Sequence, residues 1–219
     1  MRKFMSNKYP SRDPELHENR VQAIAPILKN VLELLGEDIN RDGLIKTPER
    51  WAKALLDYTK GMEQDPKQHL QVIFKLDEEN YPSDAQDMII VHNIQFTSTC
   101  EHHLAPFRGA AHIAYIPNSE SKNITGLSKL SRVVELFAKR LQVQERMTQQ
   151  ITKSIEDYLN PAGVIAVTQA THYCMVQRGV EQTSTSTTST SRRGAFLTKP
   201  ELESKFQDYL RIELDTAKF

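Results

Sequence analysis

The run Met88–Pro117, MIIVHNIQFTSTCEHHLAPFRGAAHIAYIP, decides how this chain folds. Within it Ile90, Ile94 and Phe96 alternate with polar neighbours, the period-two pattern of a half-buried strand. The polar run Cys100-Glu101-His102-His103 interrupts that pattern. Phe107 to Ile116 then reads as a second strand, ended by Pro117-Asn118. A hairpin is the natural connection, and it puts the Cys-Glu-His-His run near the turn.

Upstream the period is helical. Asp13-Pro14 reads as an N-cap followed by proline at the first helical position. Val21, Ile24, Leu28, Val31, Leu32 and Leu35 then form an apolar stripe, with Gly36 as the stop. Pro26 inside the stripe predicts a kink or the start of a second helix. After a polar loop, Thr47-Pro48 repeats the cap-plus-proline signature and opens a helix through Trp51, Leu55 and Tyr58 to Gly61. Two such amphipathic helices bury their stripes most simply on each other. Glu63 to Gln86 is polar, with a short apolar interval at Leu70, Val72, Ile73 and Phe74.

Downstream, Asn118 to Thr125 is a loop and Ser128 is placed to cap a helix carrying Leu130, Val133, Val134, Phe137, Ala138 and Leu141. Met147, Ile151, Ile155 and Leu159 continue as a second helical stripe to Asn160-Pro161. No glycine or proline separates the two, so pattern alone would join them; a break is expected near Gln142-Val143. Val164 to Val176 is strongly β in character. Thr183 to Leu197 reads as its strand partner, although the Ser/Thr-rich composition of Thr183 to Ser191 also allows a linker. Thr198 to Phe219 reads as a last helix. The expected organisation is a helical extension (1–62), an α+β domain (63–197) and a tail (198–219). Strand-strand-helix-helix-strand-strand is an α+β order with antiparallel pairs, whose two open edges must be covered or paired between subunits.

Composition narrows the function. The 219 residues are 39% hydrophobic and 26% charged, ordinary for a globular chain that buries a core without staples. Twenty-eight basic residues balance 28 acidic ones, so nothing global points to nucleic acid or a membrane surface. A local cationic cluster for an anionic small ligand is still compatible with that balance. No apolar run reaches the roughly 18 residues that span a bilayer. Met1-Arg2-Lys3-Phe4-Met5-Ser6 lacks the apolar stretch of a signal peptide, and a cytoplasmic location is expected.

Both cysteines fall in short polar runs rich in histidine. Two cysteines in a cytosolic chain leave an isolated disulfide, two unrelated buried thiols, or a shared metal. Cys100 and His103 are three apart, close enough to ligate one ion from a single turn. His172 and Cys174 are two apart on a predicted strand, so their side chains are expected on one face. A Cys-His-Cys set with a fourth position for water is the pattern of catalytic zinc, whereas structural sites close with four protein ligands. Spacing does not choose between His102 and His103.

Five motifs in order supply more. Thr97-Ser98-Thr99-Cys100-Glu101-His102-His103-Leu104 with His112-Ile113-Ala114-Tyr115-Ile116-Pro117, Gly126-Leu127-Ser128-Lys129-Leu130-Ser131-Arg132, Gln142-Val143-Gln144-Glu145-Arg146, and His172-Tyr173-Cys174-Met175 with Arg178-Gly179 resemble GTP cyclohydrolase I. That family converts GTP to 7,8-dihydroneopterin triphosphate and formate, opening pterin and folate synthesis. The resemblance implies Zn2+ on Cys100, His103 and Cys174, with His172 protonating a ring nitrogen of the guanine imidazole. It implies His102 as a second proton carrier, with Ser128 close by. Gln144 and Glu145 are expected at the purine, and Lys129, Arg132 and Arg178 at the triphosphate, joined by Arg50 and Lys53. The family's ββααββ domain, the tunnelling or T-fold, assembles into rings of five that stack as a homodecamer, with active sites between subunits.

Taken singly, Arg50, Lys53 and Arg132 read as solvated helix faces, and Glu145 with Arg146 and Gln149 as surface pairing. A related pterin or deazapurine enzyme of the nitrile reductase kind would use a nucleophilic cysteine instead of the metal triad. A non-catalytic GTP-binding or zinc-stabilised assembly protein is the reading from another class. No Gly-rich Lys-Ser/Thr phosphate loop is present, which argues against an ordinary GTPase.

Overall fold

A computed structural model describes residues 14–76 and 87–216. Asp13, the expected N-cap, lies outside the described residues, as do residues 77–86 of the polar stretch and the last three residues of the tail. Packing divides the chain into two compact units, Met1–Gln64 and Asp65–Phe219.

In the first unit α1 (Pro14–Leu34) runs unbroken through Pro26, so the proline does not divide it into two helices. Gly36 follows at φ +88°, the left-handed stop that a side chain would strain. α2 (Thr47–Thr59) has proline in its first turn, but Thr47 is not its cap: its hydroxyl donates to the Gly43 carbonyl at 3.1 Å. Val21 and Leu28 of α1 pack with Ala52 of α2, flanked by Ile24, Trp51 and Leu55. The two apolar stripes cover each other in part: Leu35 and Tyr58, at their ends, stay exposed.

The second unit opens with α3 (Lys67–Leu70) and β1 (Ile73–Lys75), the short apolar interval of the sequence. The strands β2 (Ile89–Cys100), β3 (Pro106–Ile116), β6 (Gly163–His172) and β7 (Thr187–Gly194) form an antiparallel run. β5 (Leu141–Gln142) adds to the β2 edge in parallel, giving one mixed sheet in the order β5-β2-β3-β6-β7. β4 (Asn123–Thr125) pairs with β1 in a separate ladder. Five strands rather than four therefore make the sheet. The fifth is the break foreseen at Gln142-Val143, where two residues of strand part α4 (Leu127–Ala138) from α5 (Gln144–Leu159). Ser128 falls inside α4; Gly126 is the capping position, and no side chain caps it.

Side-chain alternation separates two cores. Ile113 and Tyr115 of β3 join Leu130, Val133 and Phe137 of α4 and Met147, Ile151 and Ile155 of α5 on one face. Ala114 and Ile116 point the other way, with Ile165, onto Phe196 of α7 (Ala195–Thr198) and Leu202 and Phe206 of α8 (Pro200–Thr216). The tail is thus helical, as expected, and covers the second face. The expected strand Thr183 to Leu197 is shorter at both ends, since residues 183–186 are not strand and Ala195 opens a helical turn. Where the Ser/Thr-rich run is strand it meets α5 through hydroxyls, with Thr152 and Ser191 2.7 Å apart. Gly109 is required where β3 crosses β6, because a Cβ there would stand 1.8 Å from the Gln169 carbonyl oxygen.

Candidate functional site

β2 and β6 both run antiparallel to β3, which lies between them, so their carboxyl ends emerge at the same end of the sheet. Cys100 is the last residue of β2 and His172 the last of β6. This topology brings segments seventy residues apart to one place. The β6 strand is shorter than its apolar run implied: Tyr173–Val176 is a helical turn, α6. Cys174 therefore sits on that turn and not on a strand face shared with His172, and the turn carries its thiol towards Cys100.

The Cys-Glu-His-His run closes tightly. Cys100 N–H donates to the Ala105 carbonyl at 2.8 Å, Leu104 N–H donates back to the Cys100 carbonyl at 2.9 Å, and Leu104 takes φ +53°. This fold-back sets His103 Nδ1 3.9 Å from Cys100 Sγ. The rings of His102 and His103 stand edge to face at 88°, with centroids 6.1 Å apart. It is His103, not His102, that joins Cys100 and Cys174, with all three ligand atoms within 4.8 Å of one another.

Those distances fit zinc. Tetrahedral geometry with bonds of about 2.3 Å to sulfur and 2.0 Å to nitrogen separates neighbouring ligand atoms by about 3.5–3.8 Å. The donor set agrees, since two thiolates and an imidazole suit a borderline-soft cation. Both cysteines are free thiols, which sets the disulfide reading aside. Burial, then the neighbouring Cys100 thiol, pushes the Cys174 thiol up, with Arg178 pulling the other way. A divalent cation relieves that opposition between two facing thiolates.

His172 lies beside the cluster and is held on two sides. Its ring stacks on Phe107 with centroids 4.6 Å apart and planes 1° from parallel. Its Nε2 is 2.8 Å from Gln144 Oε1. Burial holds its pKa below the usual imidazole value, and the Glu145 carboxylate opposes that shift. Glu145, in the first turn of α5, is exposed towards solvent, whereas Gln144 is 1% exposed.

Arg146 is not a surface partner of Glu145. Its guanidinium forks onto the Glu101 carboxylate, its Nε donates to Gln142 Oε1 at 3.0 Å, and it also donates to the Leu141 carbonyl at 2.9 Å. The side-chain hydrogen bond from Arg146 holds the Glu101 carboxyl below the usual carboxylate range. The pair ties the Cys-Glu-His-His turn to the start of α5.

The other expected residues fall into separate places. Ser128, Lys129 and Arg132 occupy the first turns of α4, with His69 of α3 near enough that burial first, then Arg132 and Lys129, lower its pKa. Arg50 and Lys53 are exposed on α2, in the first unit. Arg192 and Arg193 pair with Glu203 and Glu156. His92 and His112 belong to the sheet around a bulge at Asn93. Sequence reasoning missed Phe107 as the partner of His172. Its only linear signal is its place at the start of β3, since the contact depends on the Phe107–His172 register.

A family model described as GTP cyclohydrolase I matches residues 24–211. The chain is 48% identical over 196 residues to "GTP cyclohydrolase 1" of Chlorobaculum tepidum, covering 89% of this chain and 81% of that one. It is 54% identical over 166 residues to the same-named protein of Porphyromonas gingivalis, covering 76% and 81%. A Saccharomyces cerevisiae "GTP cyclohydrolase 1" is 44% identical over 182 residues, covering 83% and 72%. Among solved structures, an archaeosine synthase QueF-Like in the apo form is similar over 51% of this chain at 11% identity and a TM-score of 0.42. From the match over residues 24–211 and from the relatives together, the chain belongs to the GTP cyclohydrolase I family.

Proposed function

We propose that this chain hydrolyses GTP to 7,8-dihydroneopterin triphosphate and formate, the first step of pterin and folate synthesis. The observation that carries the reading is the convergence of Cys100, His103 and Cys174, within 4.8 Å, beside an anchored His172. Zinc bound there supplies a water whose pKa falls to about 7, a hydrolytic nucleophile at neutral pH.

The chain's own groups do the rest. His172 delivers a proton to a ring nitrogen of the guanine imidazole, making C8 electrophilic. A histidine whose pKa is held down by burial is the stronger acid once it has taken a proton, and positioned acid-base groups contribute about 10²–10⁴ in rate. His102, beside His103 and outside the three clustered ligands, is the second proton carrier, with Ser128 assisting. Glu145 accepts the paired N–H groups of the guanine edge, which adenine does not offer in that arrangement. Arg178, close to Cys174, binds phosphate together with Lys129 and Arg132. Arg50 and Lys53 join them when the full site is assembled.

Residues 63–197 carry the catalysis, with 1–62 as the helical extension and 198–219 as the tail. The functional form is a ring-based homodecamer, two pentamers stacked, with active sites shared between subunits; the open β7 edge of the sheet supports that reading. No helix among the described residues is long and apolar enough to cross a membrane. Two free thiols suit a reducing cytoplasm, where we place the protein.

The test is turnover of GTP with and without a chelator, following formate and the oxidised, fluorescent pterin. One formate per GTP is expected, lost on chelation and restored by zinc, and lost in Cys174→Ser. Zinc-replete, assembled protein that yields no formate would overturn the proposal.

A further inference from the structure

Gln144 opens α5 almost completely buried, at 1% exposure. Its Nε2 lies 2.9 Å from the Thr168 carbonyl, 3.1 Å from Thr168 Oγ1 and 2.9 Å from the Thr187 carbonyl. Carbonyl oxygens only accept, so the NH2 end of the amide must face β6 and β7. The surrounding hydroxyls allow this in one direction. Thr148 Oγ1 donates to the Gln144 backbone carbonyl at 2.8 Å, and Thr168 Oγ1 lies 2.8 Å from Thr148 Oγ1. With the Thr148 proton committed, Thr168 donates to Thr148 and keeps its own lone pairs for Gln144. Every donor and acceptor in this buried chain is then satisfied, as a buried polar network requires.

With the amide oriented, Gln144 Oε1 faces His172 Nε2 at 2.8 Å, and an amide oxygen can only accept. Nε2 of His172 therefore carries hydrogen, and in the neutral ring the free lone pair is on Nδ1. The parallel Phe107 ring fixes the imidazole plane, so the hydrogen bond sets position as well as tautomer. We infer that Gln144 is a positioning residue for His172, holding its ring as the Nε2–H tautomer, instead of a side-chain contact to the purine. The effect on turnover rests on the GTP cyclohydrolase reading of the site; the tautomer does not.

The test uses the full-length, zinc-loaded protein labelled with 15N-histidine, with His172 assigned by its absence in His172→Gln. The wild type is expected to show the neutral Nε2–H form. In Gln144→Met that preference is lost and kcat falls about 10–100-fold, the usual cost of removing an orienting partner. The KM for GTP stays within about twofold and zinc content is unchanged. Thr148→Val, which touches neither His172 nor substrate and removes only the far link of the chain, lowers kcat a few-fold with KM unchanged; it also serves should Gln144→Met fail to fold. A wild-type Nδ1–H tautomer would overturn the inference. So would a raised KM with intact kcat in Gln144→Met, which would put the amide on the purine. Wild-type protein that does not turn over GTP defeats the functional reading, while the 15N pattern still decides the Gln144 bond.

Discussion

Phe107→Leu separates the holding of His172 from the holding of the fold. Phe107 is fully buried, its face against His172 and its ring in edge-to-face contact with Phe96 at 6.0 Å between centroids and 79° between planes. Leucine keeps an apolar group but loses both ring contacts. An aromatic pair contributes about 0.5–1.5 kcal/mol beyond burial, and the smaller side chain adds roughly 1 kcal/mol for lost transfer and residual space. A loss of about 2 kcal/mol lowers Tm by roughly 4–8 °C in a chain of this size, read at fixed protein and zinc concentration because bound metal and assembly shift Tm. Phe96→Leu is the control, because it breaks the edge contact and leaves the imidazole stacked. Comparable Tm losses are expected in both variants, with kcat reduced about tenfold only in Phe107→Leu and zinc retained in each. Equal kcat in the two would refute the claim that the stacked ring holds His172. Loss of zinc together with kcat would show that the metal cluster, not the imidazole, had moved.

Two further outcomes follow from the sheet. Burial, then His92, holds His112 below its ordinary value of 6.5, and its Nδ1 accepts from Asn93 N–H at 3.3 Å. The unfolded chain therefore takes up that proton first as pH falls through about 6.5, so this group makes stability rise with pH across that window and leaves it flat above. Urea midpoints at pH 7.5 and 5.5 should differ less in His112→Asn than in wild type; an unchanged difference would clear His112 of the effect. Gly109→Ala forces a methyl against the Gln169 carbonyl at 1.8 Å, so the strands must part. Little folded protein, or destabilisation of about 3 kcal/mol or more, is expected at the upper end of overpacking costs; a normal Tm would show that β3 and β6 yield there at little cost.

Much of this protein is legible in one dimension because it depends on local periodicity and chemistry. The helical stripe from Val21 to Leu35, the alternation through Ile90, Ile94 and Phe96, and the scarce cysteines set beside histidines announced a helical pair, a sheet and a metal. The motifs around them carried the family resemblance.

What linear spacing left open was decided by convergence. His102 and His103 are equivalent as letters; only the fold-back at Leu104, held by its bond to the Cys100 carbonyl, aims His103 at the thiols. Cys174 reaches them because β6 stops at His172 and turns helical, which the continuous β-prone run through Val176 concealed. The stacking of Phe107 on His172, the fork of Arg146 onto Glu101 and the inward amide of Gln144 join residues 65, 45 and 28 positions apart. Such contacts are products of strand register and chain direction, which place two carboxyl ends at one edge of the sheet. Residue types determined what chemistry was available; the parallel orientation of β2 and β6 about β3 determined which of those residues meet.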